Sequence, residues 1–277
     1  MCRQSGFDLC AYIKGTTINL KDAYDREKVH LKHIMGNDPI EFVHRYRDKD
    51  SIEIAGFIAS QFAYGKIEVF KRFLEALFLT MGKDLRVFVE QGDLRRVKGL
   101  YYRFHKDKEI IYLFEALRRI YHDFGGLGSM FRTYYEKDTR ATLFKLRKEL
   151  FDDDDDALTF FFPKPSATSA LKRWNLYLRW MVRKDEIDLG IWDFIDRSDL
   201  VIPLDTHIFK IGRCLGFTRR ATPSYGAAFE ITDALKKFSP EDPLKYDFFL
   251  CHRIGIGAGC TGTRSPRCNK VCLLYEL

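Results

Sequence analysis

The sequence lacks any long apolar run. No stretch approaches the ~18 consecutive apolar residues that a membrane-spanning helix requires, and Met1–Gly6 contains no apolar core of a secretory signal. Cysteine is scarce and odd in number, with seven in 277 residues, which argues against a disulfide framework and is typical of a reducing compartment. We therefore expect a cytoplasmic protein with no membrane association.

Segments that alternate apolar and polar residues between hairpin turns are also scarce, which argues against a β-sheet. Helical spacing dominates instead. Asp50 and Ser51 can cap a helix whose buried face runs from Ile52 to Ala59, and Lys66–Met81 repeats the pattern before a stop at Gly82. The same spacing recurs in 113–121 and 143–150, and Gly125–Gly128 ends a helix. The sequence therefore predicts an all-α protein.

The charge balance is basic, with a formal net charge of +7, in a chain that is 46% hydrophobic and 15% aromatic. This balance suits a polyanionic partner but does not by itself identify one. One acidic run, Asp152–Asp156, interrupts the chain. It lacks the spaced oxygen ligands and the turn glycine of a cation site, so we interpret it as a solvated loop or helix start.

The segment Ser169–Arg183 is strongly amphipathic at ~100° per residue. Its apolar stripe consists of Leu171, Trp174, Leu178, Met181 and Val182. Its opposite face consists of Lys172, Asn175, Arg179 and Arg183. Two interpretations fit: an ordinary surface helix with extended basic side chains, or a helix whose cations and N-terminal amides bind phosphates. Candidate caps at its start are Ser166, Thr168 and Ser169.

An aspartate follows the apolar stretch Leu200–Leu204 and begins another helix. Asp205 precedes an apolar and basic segment that ends at Gly216, which is the pattern of an N-cap and a C-terminal glycine. Capping alone is a sufficient reason for an aspartate at this position. We interpret His207 as structural.

These two helices and the tail Cys260–Cys272 together resemble the helix-hairpin-helix DNA glycosylases, such as endonuclease III and the archaeal 8-oxoguanine glycosylases. The resemblance is strongest from Ser166 to Cys272. It implies two helical subdomains with a cleft between them. One would contain residues 1–50 and 200–277, and the other would contain residues 51–199 with a hairpin-like segment at 163–183.

The resemblance also implies a chemistry and a partner. Lys172 would be the nucleophile that attacks the sugar C1′ in its neutral form, and Asp205 would stabilise the cationic sugar. The substrate would be double-stranded DNA with a damaged base flipped out of the stack, bound by a monomer. Residues implied to contact the DNA are Gln61, Ser166, Thr168, Ser169, Arg173, Arg179 and Arg183.

The chain departs from the family pattern at two places. The glycine hairpin before the lysine is replaced by Lys164–Ala170, and the tail lacks the fourth cysteine of an iron–sulfur loop. A zinc ion would need His252 or a water to complete its ligands. We therefore expect no metal and no cofactor. The altered hairpin and the spacing from Lys172 to Asp205 are closer to the archaeal enzymes, which favours an oxidised purine such as 8-oxoguanine as the substrate.

Three alternatives remain open. The first is a monofunctional glycosylase for another lesion, in which Lys172 only contacts phosphate. The second is a non-catalytic nucleic-acid-binding protein that retains the fold. The third is a metal-dependent nuclease built on Asp152–Asp156.

Overall fold

The computed structural model describes residues 19–151 and 158–274 of the chain. These residues form helices joined by connections of varied length, and the longest connection between two of these α-helices spans residues 183–205. The helices are α1 Leu20–Ile34, α2 Ile40–Val43, α3 Lys49–Gln61, α4 Ile67–Met81, α5 Leu85–Gln91, α6 Asp107–Phe124, α7 Leu127–Tyr134, α8 Thr139–Leu150, α9 Lys172–Val182, α10 Thr206–Cys214, α11 Tyr225–Lys236, α12 Asp247–Phe249, a π-helical turn Leu250–Gly257, and α13 Cys268–Val271. Short 3₁₀ turns lie at Met35–Asn37, Leu94–Val97, Arg197–Asp199 and Pro243–Tyr246.

The described part of the chain contains no β-strand. Two isolated bridges, Tyr102–His105 and Lys184–Leu189, are its sole β-type pairings. The predicted all-α class is therefore confirmed. Among these same residues, no helix combines the length and the apolar character needed to cross a lipid bilayer.

The chain divides into two compact units. Of the described residues, those up to Ile34, the segment Ala167–Arg179 and those from Leu200 onward form one unit, which we call the terminal unit. The described residues of Met35–Ser166 and Trp180–Asp199 form the other, the central unit. This division differs from the predicted boundaries in two segments, since residues 35–50 lie in the central unit and Ala167–Arg179, which includes most of α9, lies in the terminal unit.

Helix α3 is the buried helix of the central unit, with every residue from Ser51 to Gln61 buried. Its N-cap is Asp48, whose side chain accepts a hydrogen bond of 2.8 Å from the Ser51 N–H. The predicted cap at Asp50 was therefore wrong. Asp50 lies in the first turn of the helix, where its carboxylate instead pairs with Arg86 at 2.7 Å.

One carboxylate lies inside the central unit. Glu53 is 3% exposed and accepts hydrogen bonds from the Gly128 N–H at 3.1 Å and from Trp192 Nε1 at 2.7 Å. Burial raises the pKa of Glu53, although both donors oppose that shift. Gly128 lies in the first turn of α7. The preceding helix α6 ends at Gly125, which has φ +79°, so the predicted helix end is confirmed.

The terminal unit joins α1 to segments near the other end of the chain. Glu27 pairs with Arg253 at 2.7 Å, and the ring of Tyr24 packs edge-on against Tyr246 at 5.2 Å between centroids. The acidic run Asp152–Asp156 and the interpretation given to it lie outside the described residues.

Candidate active site

Asp205 is the N-cap of α10, as the sequence predicts. Its backbone is extended, and Oδ1 accepts a hydrogen bond of 2.7 Å from the Ile208 N–H. The other carboxylate oxygen, Oδ2, lies 3.5 Å from the thiol of Cys251, which donates to it. Asp205 is half-buried. Its carboxylate is therefore held in one orientation, in a residue that is partly accessible.

The segment before Asp205 is fixed by burial and by one hydrogen bond. Leu200, Val201, Ile202 and Leu204 are all buried. The N–H of Ile202 donates to Thr232 Oγ1 at 3.0 Å, and that hydroxyl donates to the Ala228 carbonyl at 2.8 Å. Because α11 anchors this segment, the chain reaches Asp205 along a defined path.

Helix α10 also packs closely against the π-helical turn. A Cβ atom at Gly255 would lie 2.7 Å from the Cβ of His207, which is closer than such atoms approach. Gly255 is therefore required for this contact, and the half-buried His207 occupies a packing position. This placement agrees with the structural interpretation of His207.

Lys172 is the first residue of α9 and is half-buried. The turn before it is unusual, because Leu171 has φ +51°, a conformation that costs a non-glycine residue free energy. Two hydrogen bonds from Asn175 hold this turn: Nδ2 donates to the Ala170 carbonyl at 3.0 Å, and the backbone N–H donates to the Leu171 carbonyl at 2.9 Å. The position at which α9 begins is thereby fixed.

Lys172 and Asp205 lie in the same compact unit, each at the start of a helix and each partly accessible. Arg173, next to the lysine, is also half-buried. Neither of the two residues predicted to carry the chemistry is enclosed in the apolar core.

The predicted basic face of α9 was wrong. Arg179 and Arg183 are each 3% exposed, and Asn175 is 4% exposed. Arg179 donates to the carboxylate of Asp247, and Arg183 donates to Asp188 and, at 2.9 Å, to Asp185. These arginines are buried in internal ion pairs and are not available to bind phosphate. The amphipathic pattern could not reveal this, because Asp247 is 68 residues from Arg179 in the sequence and because the pattern does not indicate that the chain after α9 turns back to pair Asp185 and Asp188 with Arg183.

Several hydrogen bonds hold the segment that contains the three predicted caps. The hydroxyl of Ser169 accepts a hydrogen bond from the Leu171 N–H at 3.4 Å, which lies before the helix. The carbonyl of Ser166 accepts from Arg140, and the carbonyl of Thr168 accepts from the Tyr225 N–H at 3.0 Å. This segment is therefore held by neighbouring side chains and backbone groups.

Gln61 is completely buried at the end of α3, where its Nε2 donates to the hydroxyl of Ser60 at 3.4 Å. Gln61 therefore does not lie at an exposed helix end, because α3 is buried from Ser51 to Gln61. The DNA contact at Gln61 stays a prediction of the resemblance.

Cys214, at the end of α10, was missed as a partner of the cysteine tail. Its thiol hydrogen bonds to Cys260, and this bond, the Gly262 N–H and the charge of Lys210 lower the pKa of Cys260 to about 6. Burial raises the pKa of Cys272. Within the described ranges, no three His, Cys, Asp or Glu side chains are grouped so as to hold a metal ion. The pairing was missed because Cys214 is distant from the tail in sequence.

Together these features describe an all-helical protein with a capped aspartate and a helix-leading lysine in one unit. A family model described as "Protein of unknown function (DUF2400)" matches residues 38–257. Because this match covers most of the chain, the protein belongs to that family. Comparisons with curated proteins and with solved structures found no match.

Proposed function

We propose that this protein is a DNA glycosylase with AP-lyase activity that removes an oxidised base such as 8-oxoguanine. The observation that carries the proposal is the placement of Lys172 and Asp205. Both lie in the terminal unit, both begin helices, and both remain partly accessible. An amine and an oriented carboxylate are the two groups that this chemistry requires.

Asp205 supplies the negative charge. Cleavage of the glycosidic bond leaves a cationic sugar, and a carboxylate held in one orientation stabilises that charge without having to reorganise. The hydrogen bond from the Ile208 N–H fixes Oδ1, and the thiol of Cys251 contacts Oδ2. This fixed orientation supports a role in charge stabilisation beyond capping.

Lys172 supplies the nucleophile. Its neutral amine attacks the sugar C1′, so a C–N bond to the enzyme forms as the glycosidic C–N bond breaks and the base leaves. Opening of the sugar ring then gives a Schiff base between the lysine and C1′. Loss of the C2′ proton and departure of the 3′ phosphate complete β-elimination and cut the strand.

Binding the phosphates of DNA requires exposed basic side chains, and Arg179 and Arg183 are buried. Other basic side chains of the terminal unit are exposed. One of them, Lys210, packs against Gly262: a Cβ atom built on that glycine would lie 3.3 Å from the Cβ of Lys210. We assign phosphate binding to this basic surface. Its members are Lys210, Arg213, Arg264, Arg267 and Lys270.

The test uses DNA duplexes that each carry one damaged base, incubated with protein and analysed with and without alkali. We expect base release from an oxidised purine, and a borohydride-trapped covalent adduct that Lys172→Ala abolishes. Lys236→Ala is the matched control, since Lys236 is also half-buried and lies in the same unit. Release without an adduct would indicate a monofunctional enzyme. Salt-sensitive binding without release from any lesion would indicate a non-catalytic binding protein.

A further inference from the structure

Residues 101–105 of the central unit form a tight turn, which we call the aromatic turn. The Tyr102 N–H donates to the His105 carbonyl at 2.7 Å, and the His105 N–H donates to the Tyr102 carbonyl at 2.9 Å. Arg103 and Phe104 therefore form a two-residue tip. This reciprocal pairing gives the tip the geometry of a very short hairpin.

The two ends of the aromatic turn are anchored in the core. Tyr102 is 1% exposed and His105 is 7% exposed. The phenol of Tyr102 donates to the Tyr64 carbonyl, and its ring lies 5.1 Å from that of Phe73 between centroids. The ring of His105 lies 4.0 Å from that of Phe160. Packed aromatic rings of the core thus hold both ends of the turn in place.

The tip itself projects into solvent. Phe104 is 77% exposed and Tyr101 is 74% exposed, so two large aromatic side chains of one short turn are in contact with solvent. The guanidinium of Arg103 lies 5.4 Å from the centroid of the Phe104 ring. Single exposed apolar residues are common on protein surfaces, but two exposed aromatic side chains on one anchored turn indicate an interaction site.

The backbone of the tip adopts a conformation that few residue types favour. Arg103 has φ +54°, which disfavours any residue other than glycine, asparagine or aspartate. Gly65 makes room for it, because a Cβ there would lie 2.8 Å from Arg103 Nη1 and 3.0 Å from the Tyr102 hydroxyl. The turn therefore presents Phe104 in a fixed direction, which lowers the entropy lost on binding.

The segments on either side of the turn carry more positive than negative charge. Residues 93–109 contain three acidic residues: Asp93, which pairs with Arg95 at 2.8 Å, Asp107, which accepts a hydrogen bond from the Gly99 N–H at 3.1 Å, and Glu109, which accepts one from the Lys106 N–H at 2.9 Å. The lysine and arginine side chains of this segment are all exposed: Arg95, Arg96, Lys98, Arg103, Lys106 and Lys108. Exposed aromatic rings among cations are the chemistry that binds an unstacked base and its flanking phosphates.

We propose that the aromatic turn is a second nucleic-acid contact, in which Phe104 stacks on an unpaired base while the nearby cations bind the backbone. The proposal shares the nucleic-acid partner of the proposed function, but it does not depend on the chemistry of Lys172. Its occupant is a DNA strand with an unstacked base, since a fully stacked duplex offers no base face to the ring.

The test compares two labelled duplexes, one fully paired and one with a single bulged 2-aminopurine, by fluorescence anisotropy and by 2-aminopurine emission. We expect Phe104→Ala to weaken binding of the bulged duplex roughly 5- to 150-fold and to change binding of the paired duplex far less. The change in 2-aminopurine emission that accompanies binding should also disappear in Phe104→Ala. Phe104→Trp should restore both signals.

The control is Leu79→Ala, because Leu79 is 80% exposed on α4 of the same unit, and it should leave both affinities unchanged. Equal binding of the two duplexes by wild type and Phe104→Ala would overturn the proposal. Loss of binding to phosphatidylserine vesicles in Phe104→Ala, with DNA binding intact, would reassign the turn to a membrane surface. If the protein releases no damaged base but Phe104→Ala still weakens binding of the bulged duplex, the proposed glycosylase activity is contradicted and the proposed contact at Phe104 is supported.

Discussion

Arg179 and Asp247 form an ion pair in which the side chains are 3% and 4% exposed, within the terminal unit. Arg179 belongs to α9 and Asp247 to α12, so the ion pair connects α9, which begins with Lys172, to the C-terminal part of the chain. Burial of two charges is costly unless each compensates the other.

The first prediction concerns this pair. Asp247→Ala leaves a buried guanidinium without its carboxylate, so we expect the free energy of unfolding to fall by about 3–5 kcal/mol. Glu136→Ala is the control, because Glu136 pairs with Lys145 at the surface, where a pair contributes about 0–1 kcal/mol. Urea denaturation measures both. A loss in Asp247→Ala as small as in the control would mean that the pair is not buried in solution.

The second prediction separates the two roles of Asp205. Asparagine can also cap a helix, so Asp205→Asn should change the free energy of unfolding little, whereas Asp205→Ala should lower it by about 1 kcal/mol. If the carboxylate stabilises the cationic sugar, both variants should lose base release by at least ~100-fold. Thermal denaturation and single-turnover assays give the two readouts. Full activity in Asp205→Asn would leave Asp205 as a cap alone.

The third prediction uses the thiol pair Cys214 and Cys260. With a pKa of about 6, Cys260 is mostly thiolate at neutral pH, so its alkylation rate should rise with pH and reach half of its plateau near that value. Cys214→Ala removes the hydrogen bond that contributes most to the shift, and the midpoint should move toward an ordinary thiol value of about 8.5. Peptide mass spectrometry after iodoacetamide pulses measures this.

Cys272 serves as the internal reference, because burial raises its pKa and should keep its alkylation slow at neutral pH. The assignment fails if Cys260 and Cys272 react at similar rates, or if Cys214→Ala leaves the midpoint of Cys260 where it was.

The fourth prediction concerns Glu53. A carboxyl group whose folded-state pKa is raised holds its proton more tightly in the folded protein, so its ionisation opposes folding. Its contribution to the free energy of unfolding should therefore fall as pH rises past the ordinary value of 4.5, and it should level off once the folded carboxyl group has ionised. Glu53→Gln removes this titration.

The measurement is the difference in unfolding free energy between wild type and Glu53→Gln across that pH range. We expect the difference to shift in favour of the glutamine variant as pH rises. A difference that is constant with pH, or one that shifts in favour of wild type, would contradict a raised pKa at Glu53.

The sequence was informative where local chemistry decides the structure. The apolar spacing of α4, the glycines Gly82 and Gly125 and the cap at Asp205 were all predictable, because each depends on neighbouring residues. The basic residues of α9 were not, since the amphipathic pattern is the same whether a charged face meets water or buried carboxylates. Asp188 and Asp247 decide this for Arg183 and Arg179. Asp247 is distant from Arg179 in the sequence, and Asp188 pairs with Arg183 only because the chain turns back after α9.

The aromatic turn shows the same limit. Its segment is rich in aromatic and basic residues, but the sequence does not distinguish the buried Tyr102 from the exposed Tyr101 beside it. That distinction depends on the rings of Phe62 and Phe73, which pack against Tyr102 and are far away in the chain.

Gly65 offers a way to disturb this turn without altering any residue that a ligand would touch. It has φ +92°, and a Cβ there would lie 2.8 Å from Arg103 Nη1 and 3.0 Å from the Tyr102 hydroxyl. A single added methyl group would therefore displace the side chains of Arg103 and Tyr102 and strain the backbone at residue 65. An alanine at this position would thus change the shape of the turn while Phe104 and the basic side chains near it kept their own chemistry.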